Sequence, residues 1–400
     1  MSLAAEAVEP IPTPDLRCYS FHSVKGGVGK TTFSLLTALY HAVIRREKTL
    51  LIDMDLTGTS LADVLPLEAP DFQPVIAASL KNSHKPLEPL QHTPTDFLSR
   101  EETLRRIRNR HENGHAQSKT QSSPARWRSE DVPFINDFLL YAGSHWDASQ
   151  EAHPEAFAWR YRLDSDLEEP YPLLRISPSS ALPPDLYQLL PLIYDEPYAC
   201  FVESRLEWFI HQVLSRTSYR VLVFDTPPSI PGLSRSVLSL GLRLPRLREQ
   251  PDSAALAPGG GTPPMLLQRN ICWHPCLVTT GDLQDLRAVE RWHDEATLEE
   301  QAQLRILVNR LSKPDMLERQ LRKLMPVTER TREIDSPQAH RLESNAFPIP
   351  FDERTAFNLF LEGHLPETSA QALEEMIVWL MAGRRGQNGQ SSQPELTQFL

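Results

Sequence analysis

Apolar residues fall in short continuous runs that alternate with stretches at helical spacing. The first run spans residues 17–24, where Cys18, Tyr19, Phe21 and Val24 read as a buried strand. A glycine-rich loop follows at once. Thr31 to Arg46 then places Leu35, Leu36, Leu39 and Val43 on one helical face. Thr49 to Asp53 is a second apolar run, ending in an acid, and suits a parallel strand covered on both faces. Strand, loop, helix and strand in this order predict a βαβ unit. From residue 66 to 197 the pattern degrades. Residues 100–128 are rich in Arg, Ser, Gln and His, Phe138 to Gly143 reads as one strand, and Ala148 to Pro197 reads as a proline-rich, acidic insertion.

Regularity returns at Tyr198. Phe201, Leu206, Phe209, Ile210, Val213 and Leu214 predict an amphipathic helix, and Val221 to Asp225 predicts a buried strand ending in a second acid. Residues 243–265 read as a loop, with three consecutive glycines and Pro263-Pro264. Ile271–Val278 and Leu304–Asn309 read as strands, each followed by a helix, near Asp282 and near Asp315–Met325. Phe347 to Pro350 reads as a last short strand before helices near 353–362 and 369–382. The alternation predicts an α/β fold in three layers, a mostly parallel sheet with helices on both faces. Ligand chemistry then belongs at the carboxyl ends of the strands, where Asp53, Asp225 and the glycine loop all fall.

Composition narrows the class. The chain has 400 residues and a formal net charge of −11, so any nucleic-acid contact is a local basic patch and not the whole surface. Arg105, Arg106, Arg108 and Arg110 suit either such a patch or a solvated helix end. Four cysteines, Cys18, Cys200, Cys272 and Cys276, are too few for a disulfide scaffold and point to a reducing, cytoplasmic setting. Cys272 and Cys276 lack a second pair at zinc spacing, which favours buried thiols over a metal. The start of the chain, acidic and without an apolar run, does not read as a signal peptide, and no run of apolar residues is long enough to span a membrane.

The chemistry concentrates in Lys25-Gly26-Gly27-Val28-Gly29-Lys30-Thr31-Thr32. Glycines let a loop wrap an anion with inward N–H groups, and the helix that follows adds its positive end. Lys30 is placed to offset phosphate charge and the Thr31 hydroxyl to ligate Mg²⁺. Val24 stands where the ordinary pattern has its first glycine, and Lys25 is a second lysine that a generic P-loop lacks. With these features the loop resembles the deviant Walker A motif of the ParA/MinD ATPases, of the SIMIBI class. The resemblance implies Mg-ATP binding and an ATP-state homodimer in which Lys25 reaches the partner's nucleotide. It gives Asp55, in Asp53-Met54-Asp55, the role of orienting the attacking water, with Asp53 nearer the metal. It gives Asp225, in Asp225-Thr226-Pro227-Pro228, a Mg²⁺-bound water. It assigns adenine recognition to Asn309 and Arg310, and base packing to the Pro350-Phe351-Asp352 loop.

The resemblance covers residues 17–65, 198–242 and 270–382. Together with the residue pattern it divides the chain into a lead-in at 1–16, an ATPase domain of 17–65 and 198–382 with a loop insertion at 243–269, a specificity region at 66–197 on which the resemblance says little, and a tail at 383–400. Three functions remain open. One is a switch ATPase whose slow hydrolysis is stimulated by an unidentified protein partner. The second is an ATP-using ligase of dethiobiotin synthetase type. The third is a carrier of a metal cluster or hydrophobic tail. Lys25 favours the first, since a trans-acting lysine has a use only in a dimer. Basic residues between Arg310 and Arg332 offer non-specific DNA contact, although interspersed acids make a solvated helix the simpler reading. The closing stretch from Pro394 to Leu400, with one acid and no base, argues against membrane attachment.

Overall fold

The computed structural model describes residues 14–56, 61–72, 93–117, 132–140, 152–162, 171–180, 199–230, 232–249, 266, 269–297, 303–310, 346–349 and 374–380. The strands are β1 (Leu16–His22), β2 (Thr49–Asp53), β3 (Leu67–Glu68), β4 (Pro70–Asp71), β5 (Asp96–Phe97), β6 (Trp159–Tyr161), β7 (Leu174–Ser177), β8 (Val221–Asp225), β9 (Ile271–Thr280), β10 (Arg305–Asn309) and β11 (Ala346–Ile349). The helices are α1 (Lys30–Leu39), α2 (Leu61–Val64), α3 (Arg100–Gln117), α4 (Ile135–Leu140), α5 (Ala199–Arg216), α6 (Leu233–Glu249), α7 (Leu283–Glu295) and α8 (374–380).

Nine strands form one sheet in the order β11-β10-β9-β1-β8-β2-β7-β6-β3. Pairing is parallel from β11 to β7 and antiparallel only at the β7-β6-β3 flank. β2 and β8 are buried at every position, which accounts for their unbroken apolar runs. Such runs arise when helices cover both faces of a sheet and leave no polar side. On one face, α1 sets Phe33, Leu35, Leu36 and Leu39 against Tyr19, Phe21, Leu51 and Val223, with α8 adding Met376, Ile377 and Leu380. On the other, Phe209 and Val213 of α5 and Val237 and Leu240 of α6 pack on Cys18, Leu50, Leu222 and Phe224. Leu286 and Val289 of α7 extend that layer over Leu277, Ile306 and Val308.

Three expectations need correction. Phe138 is not in a strand: residues 135–140 form α4. A short apolar run fits either element, and here Asp137 in the first turn accepts the Phe134 N–H at 2.8 Å, which favours the helix. The region 66–197 is not wholly an insertion, because its β7 pairs with β2 inside the main sheet, from Thr49↔Leu174 to Ile52↔Ser177. Residues 243–249, expected in a loop, continue α6. The strand and helix expected at Ile271 and Asp282, and the strands at 304–309 and 347–349, are present as β9, α7, β10 and β11. The helices expected near 315–325 and 353–362 lie outside the described residues.

Candidate nucleotide-binding site

β1, β8 and β2 bring their carboxyl ends together, and the glycine loop leaves the end of β1. Lys25, Gly26 and Gly27 are exposed at the rim, while Val28 and Lys30 are buried. Gly29 takes φ 102° as the residue before α1. A Cβ there would sit 2.5 Å from Asn309 Nδ2, so this position needs glycine for both its backbone and its space. Asn309, at the end of β10, donates from Nδ2 to the Val28 carbonyl at 2.9 Å, and Arg310 Nη2 donates to the Gly27 carbonyl at 3.3 Å. Both residues predicted to face adenine therefore also brace the loop. Thr32 lies half-buried in the first turn of α1. Pro350, Phe351 and Asp352 lie outside the described residues.

Asp53 and Asp225 are opposite each other in the β2–β8 register, and both are almost fully buried. Burial lifts the Asp225 carboxyl to about 6, against the pull of Lys30 and of hydrogen bonds from Thr31 and Ser34. Ser34 Oγ donates to Asp225 Oδ1 at 3.1 Å. Burial lifts the Asp53 carboxyl to about 7, and the Asp225 charge adds to it. Asp53 accepts the N–H groups of Asp55 at 3.0 Å and Leu61 at 3.0 Å, and the Ser179 hydroxyl at 2.8 Å. The Asp55 charge adds a further, smaller upward push to both buried acids.

The turn after β8 is tied to the root of the loop. Thr226 Oγ1 donates to the Phe21 carbonyl at 2.7 Å, and Ser229, at φ 81°, donates its N–H to the Ser23 carbonyl at 3.0 Å. His22, wholly buried behind them, bonds Ser234 Oγ through Nδ1 and Ser20 Oγ through Nε2, both at 2.9 Å. Burial drops its pKa to about 3, with the Lys30 and Arg235 charges adding, so the ring is neutral. Lys25 lies elsewhere. Its Nζ contacts Asp285 Oδ1 on α7 at 2.7 Å, and Thr280 Oγ1 donates to Asp285 Oδ2 at 2.6 Å. Partial burial pushes the Asp285 carboxyl up, but these bonds outweigh it and hold the group below the usual carboxylate range.

Four side chains that contact the site residues or lie behind them escaped sequence reasoning: Ser34, Ser179, His22 and Asp285. Ser34 alone had a local signal, since it follows Lys30 by one helical turn. Cys18 and Cys276 are buried free thiols and Cys272 is partly buried. Among the described residues no group of three or more His, Cys, Asp or Glu forms a metal cage, and no helix is long and apolar enough to cross a membrane. Mg²⁺ asks for less, since it keeps most of its waters and takes one or two protein oxygens beside the phosphates. The Thr31 hydroxyl and two buried carboxylates with raised pKa values fit that demand.

Loop, strand-end acids and sheet order define a mostly parallel α/β fold with a P-loop at the carboxyl edge of its sheet. Among solved structures, the chain is similar to a putative plasmid partition protein of Borrelia burgdorferi B31 bound to AMPPNP, at 12% identity and TM-score 0.45, over 92% of this chain and 99% of that one. It is similar to Cyanothece McdA in complex with ATP at 10% identity and TM-score 0.47, over 95% and 100% of the two chains. It is similar to the Pyrococcus furiosus cell division ATPase MinD at 15% identity and TM-score 0.40, over 92% and 98%. No protein-family model matches the chain, and no curated protein does. What the site can do rests on its own loop, acids and sheet order.

Proposed function

We propose that this protein is a switch ATPase, which binds Mg-ATP at Lys25–Thr32, closes as a homodimer around two nucleotides and reopens after hydrolysis. The observation that carries this reading is the different placement of the two loop lysines. Lys30 is buried beside Asp225, where it offsets phosphate charge within its own subunit. Lys25 is exposed at the rim and held by a partly exposed acid, so it can exchange that acid for the phosphates of a second copy. Thr31 would ligate Mg²⁺ and Asp225 would hold one of its waters, and the bound ion would supply charge neutralisation for the phosphates. Asp53, opposite Asp225 in the sheet, would stand nearer the metal than Asp55. Asn309 and Arg310 join the base end of the site to the loop, with Pro350, Phe351 and Asp352 proposed to pack on the base. Asp55 orients the attacking water. The dimer then positions or regulates a protein partner.

The test is Asp55→Ala. It is expected to bind ATP with wild-type affinity, hydrolyse it poorly and accumulate as a dimer, which light scattering with and without ATP measures. A variant that stays monomeric with ATP, or turns it over at the wild-type rate, defeats the reading. A monomeric protein consuming ATP only with a second substrate points instead to the ligase.

A further inference from the structure

β7 ends at Ser177, opposite Ile52 of β2, so the chain after it runs beside Asp53, Met54 and Asp55. Ser179 is wholly buried there. Its hydroxyl lies 2.8 Å from Asp53 Oδ2 and 3.1 Å from the Asp55 carbonyl, and its N–H lies 3.4 Å from the same Asp53 oxygen. Asp53 in turn gathers the N–H groups of Asp55 and Leu61, at either end of the segment that follows β2. The next residue, Ser180, is gripped from both sides of its peptide. Asn136 Nδ2 donates to the Ser180 carbonyl and Asn136 Oδ1 accepts the Ser180 N–H, both at 2.8 Å. The Ile135 N–H also bonds the Pro178 carbonyl at 3.0 Å. Asp137, beside Asn136, takes a two-pronged bond from Arg110 of α3, at 2.8 and 2.9 Å.

These bonds form one continuous path from α3 through α4 and the β7 end to the Asp53 carboxylate and the Asp55 carbonyl. We propose that Ser179 is a positioning residue for the segment carrying Asp55, and that Asn136 acts through it by fixing the Ser180 peptide. A buried hydroxyl shared between a carboxylate and a carbonyl fixes both acceptors in one geometry, because burial keeps solvent from taking its place. Asn136 does the same for the backbone that presents the hydroxyl. The geometry gives the region between residues 66 and 197 a part in the ATPase chemistry, through placement and not through contact with nucleotide. The catalytic consequence rests on the role of Asp55 proposed above; the positioning itself does not.

The experiment compares wild type with Ser179→Ala, Ser179→Thr and Asn136→Ala in the full chain. Without nucleotide, amide exchange at Asp55 and Leu61 is expected to speed up roughly tenfold in Ser179→Ala, the range for losing a hydrogen bond to a charged group. Asn136→Ala is expected to move the same amides in the same direction, less strongly. Ser179→Thr, which keeps the hydroxyl, is expected to restore protection. With ATP, kcat is expected to fall about tenfold in Ser179→Ala while KM and fluorescent-analogue affinity stay within about twofold. The double variant is expected to add little to Ser179→Ala, since both break one path. Unchanged exchange at Asp55 and Leu61 in a folded Ser179→Ala overturns the proposal, as does loss of ATP affinity in step with kcat. If Ser179→Ala fails to fold, the exchange and kcat of Asn136→Ala decide the matter alone. If wild type itself does not hydrolyse ATP, the reading of Asp55 fails, while the exchange result still judges Ser179.

Discussion

Asp53 and Asp225 occupy matched positions on neighbouring strands, are equally buried and are both held above the usual carboxylate range. Their hydrogen-bond partners differ. Asp225 is bonded from the loop side, by Thr31 and Ser34 of α1, and lies in the field of Lys30. Asp53 is bonded from the opposite side, by Asp55, Leu61 and Ser179. One acid therefore answers to the nucleotide loop and the other to the segment that follows β2. The same residue type at the same strand end thus has two separate sets of hydrogen-bond partners, decided by which elements flank the strand. β8 lies next to β1 and its loop, whereas β2 lies between β8 and β7.

The sharpest way to break that contrast is Lys30→Ala. It is expected to weaken ATP binding roughly a hundredfold, the upper range for losing a charge-assisted hydrogen bond. Titration with a fluorescent ATP analogue measures the loss, and amide exchange at Asp55 and Leu61 is expected to stay as in wild type. If exchange there rises with it, the two arms are not separate.

A smaller effect tests Asp225 through pH. Its pKa in the folded protein, about 6, lies above the ordinary carboxylate value of 3.8, so the folded state binds this proton more tightly than the unfolded one. The cost of ionising it therefore builds as pH rises between those values and is complete above them. Without nucleotide or Mg²⁺, Asp225→Asn is expected to melt a few degrees above wild type near pH 7.5, with the gap closing toward pH 4. Mg-ATP is expected to reverse the order, because it stabilises only the wild type. Scanning calorimetry across pH, with and without Mg-ATP, checks both statements; a gap that does not depend on pH counts against the buried, raised acid.

The smallest expected effect is at the rim. The Lys25–Asp285 pair is partly exposed, and pairs of that kind contribute about 0–1 kcal/mol. Asp285→Asn is thus expected to favour the ATP-bound dimer by at most about fivefold, by releasing Lys25 sooner. Sedimentation with ATP measures the shift, and a weaker dimer means that Asp285 serves the interface instead of restraining Lys25.

Much of this site was legible in the sequence because its signals are local. Eight consecutive residues specify the phosphate loop, and a buried parallel strand ending in an acid announces Asp53 and Asp225 individually. Asn309 was legible as a strand-end amide, although its bond to the Val28 carbonyl was not. Phe138 was misread because a short apolar run carries no period, and the choice of helix there depends on the polar cap at Asp137 and on Arg110, far away in sequence. β7 was missed for a related reason. Four residues inside a proline-rich stretch have too little pattern to stand out until β2 supplies their hydrogen bonds.

By itself, the sequence determined the strands β1, β2, β8, β9, β10 and β11, the loop, its two lysines and the acids at strand ends. Each is encoded in neighbouring residues through burial period, glycine geometry or charge. The tertiary structure alone decided which side chains meet: Ser179 with Asp53 across 126 positions, Asp285 with Lys25 across 260, and Asn309 with the loop across 281. Those pairings follow from the sheet order, since β1, β2, β7, β9 and β10 bring their carboxyl ends to one edge only after long crossovers have closed. A serine or an aspartate beyond a strand end carries no local mark of its eventual partner, because hydrogen bonds and ion pairs act over a few ångströms in space and are indifferent to separation along the chain.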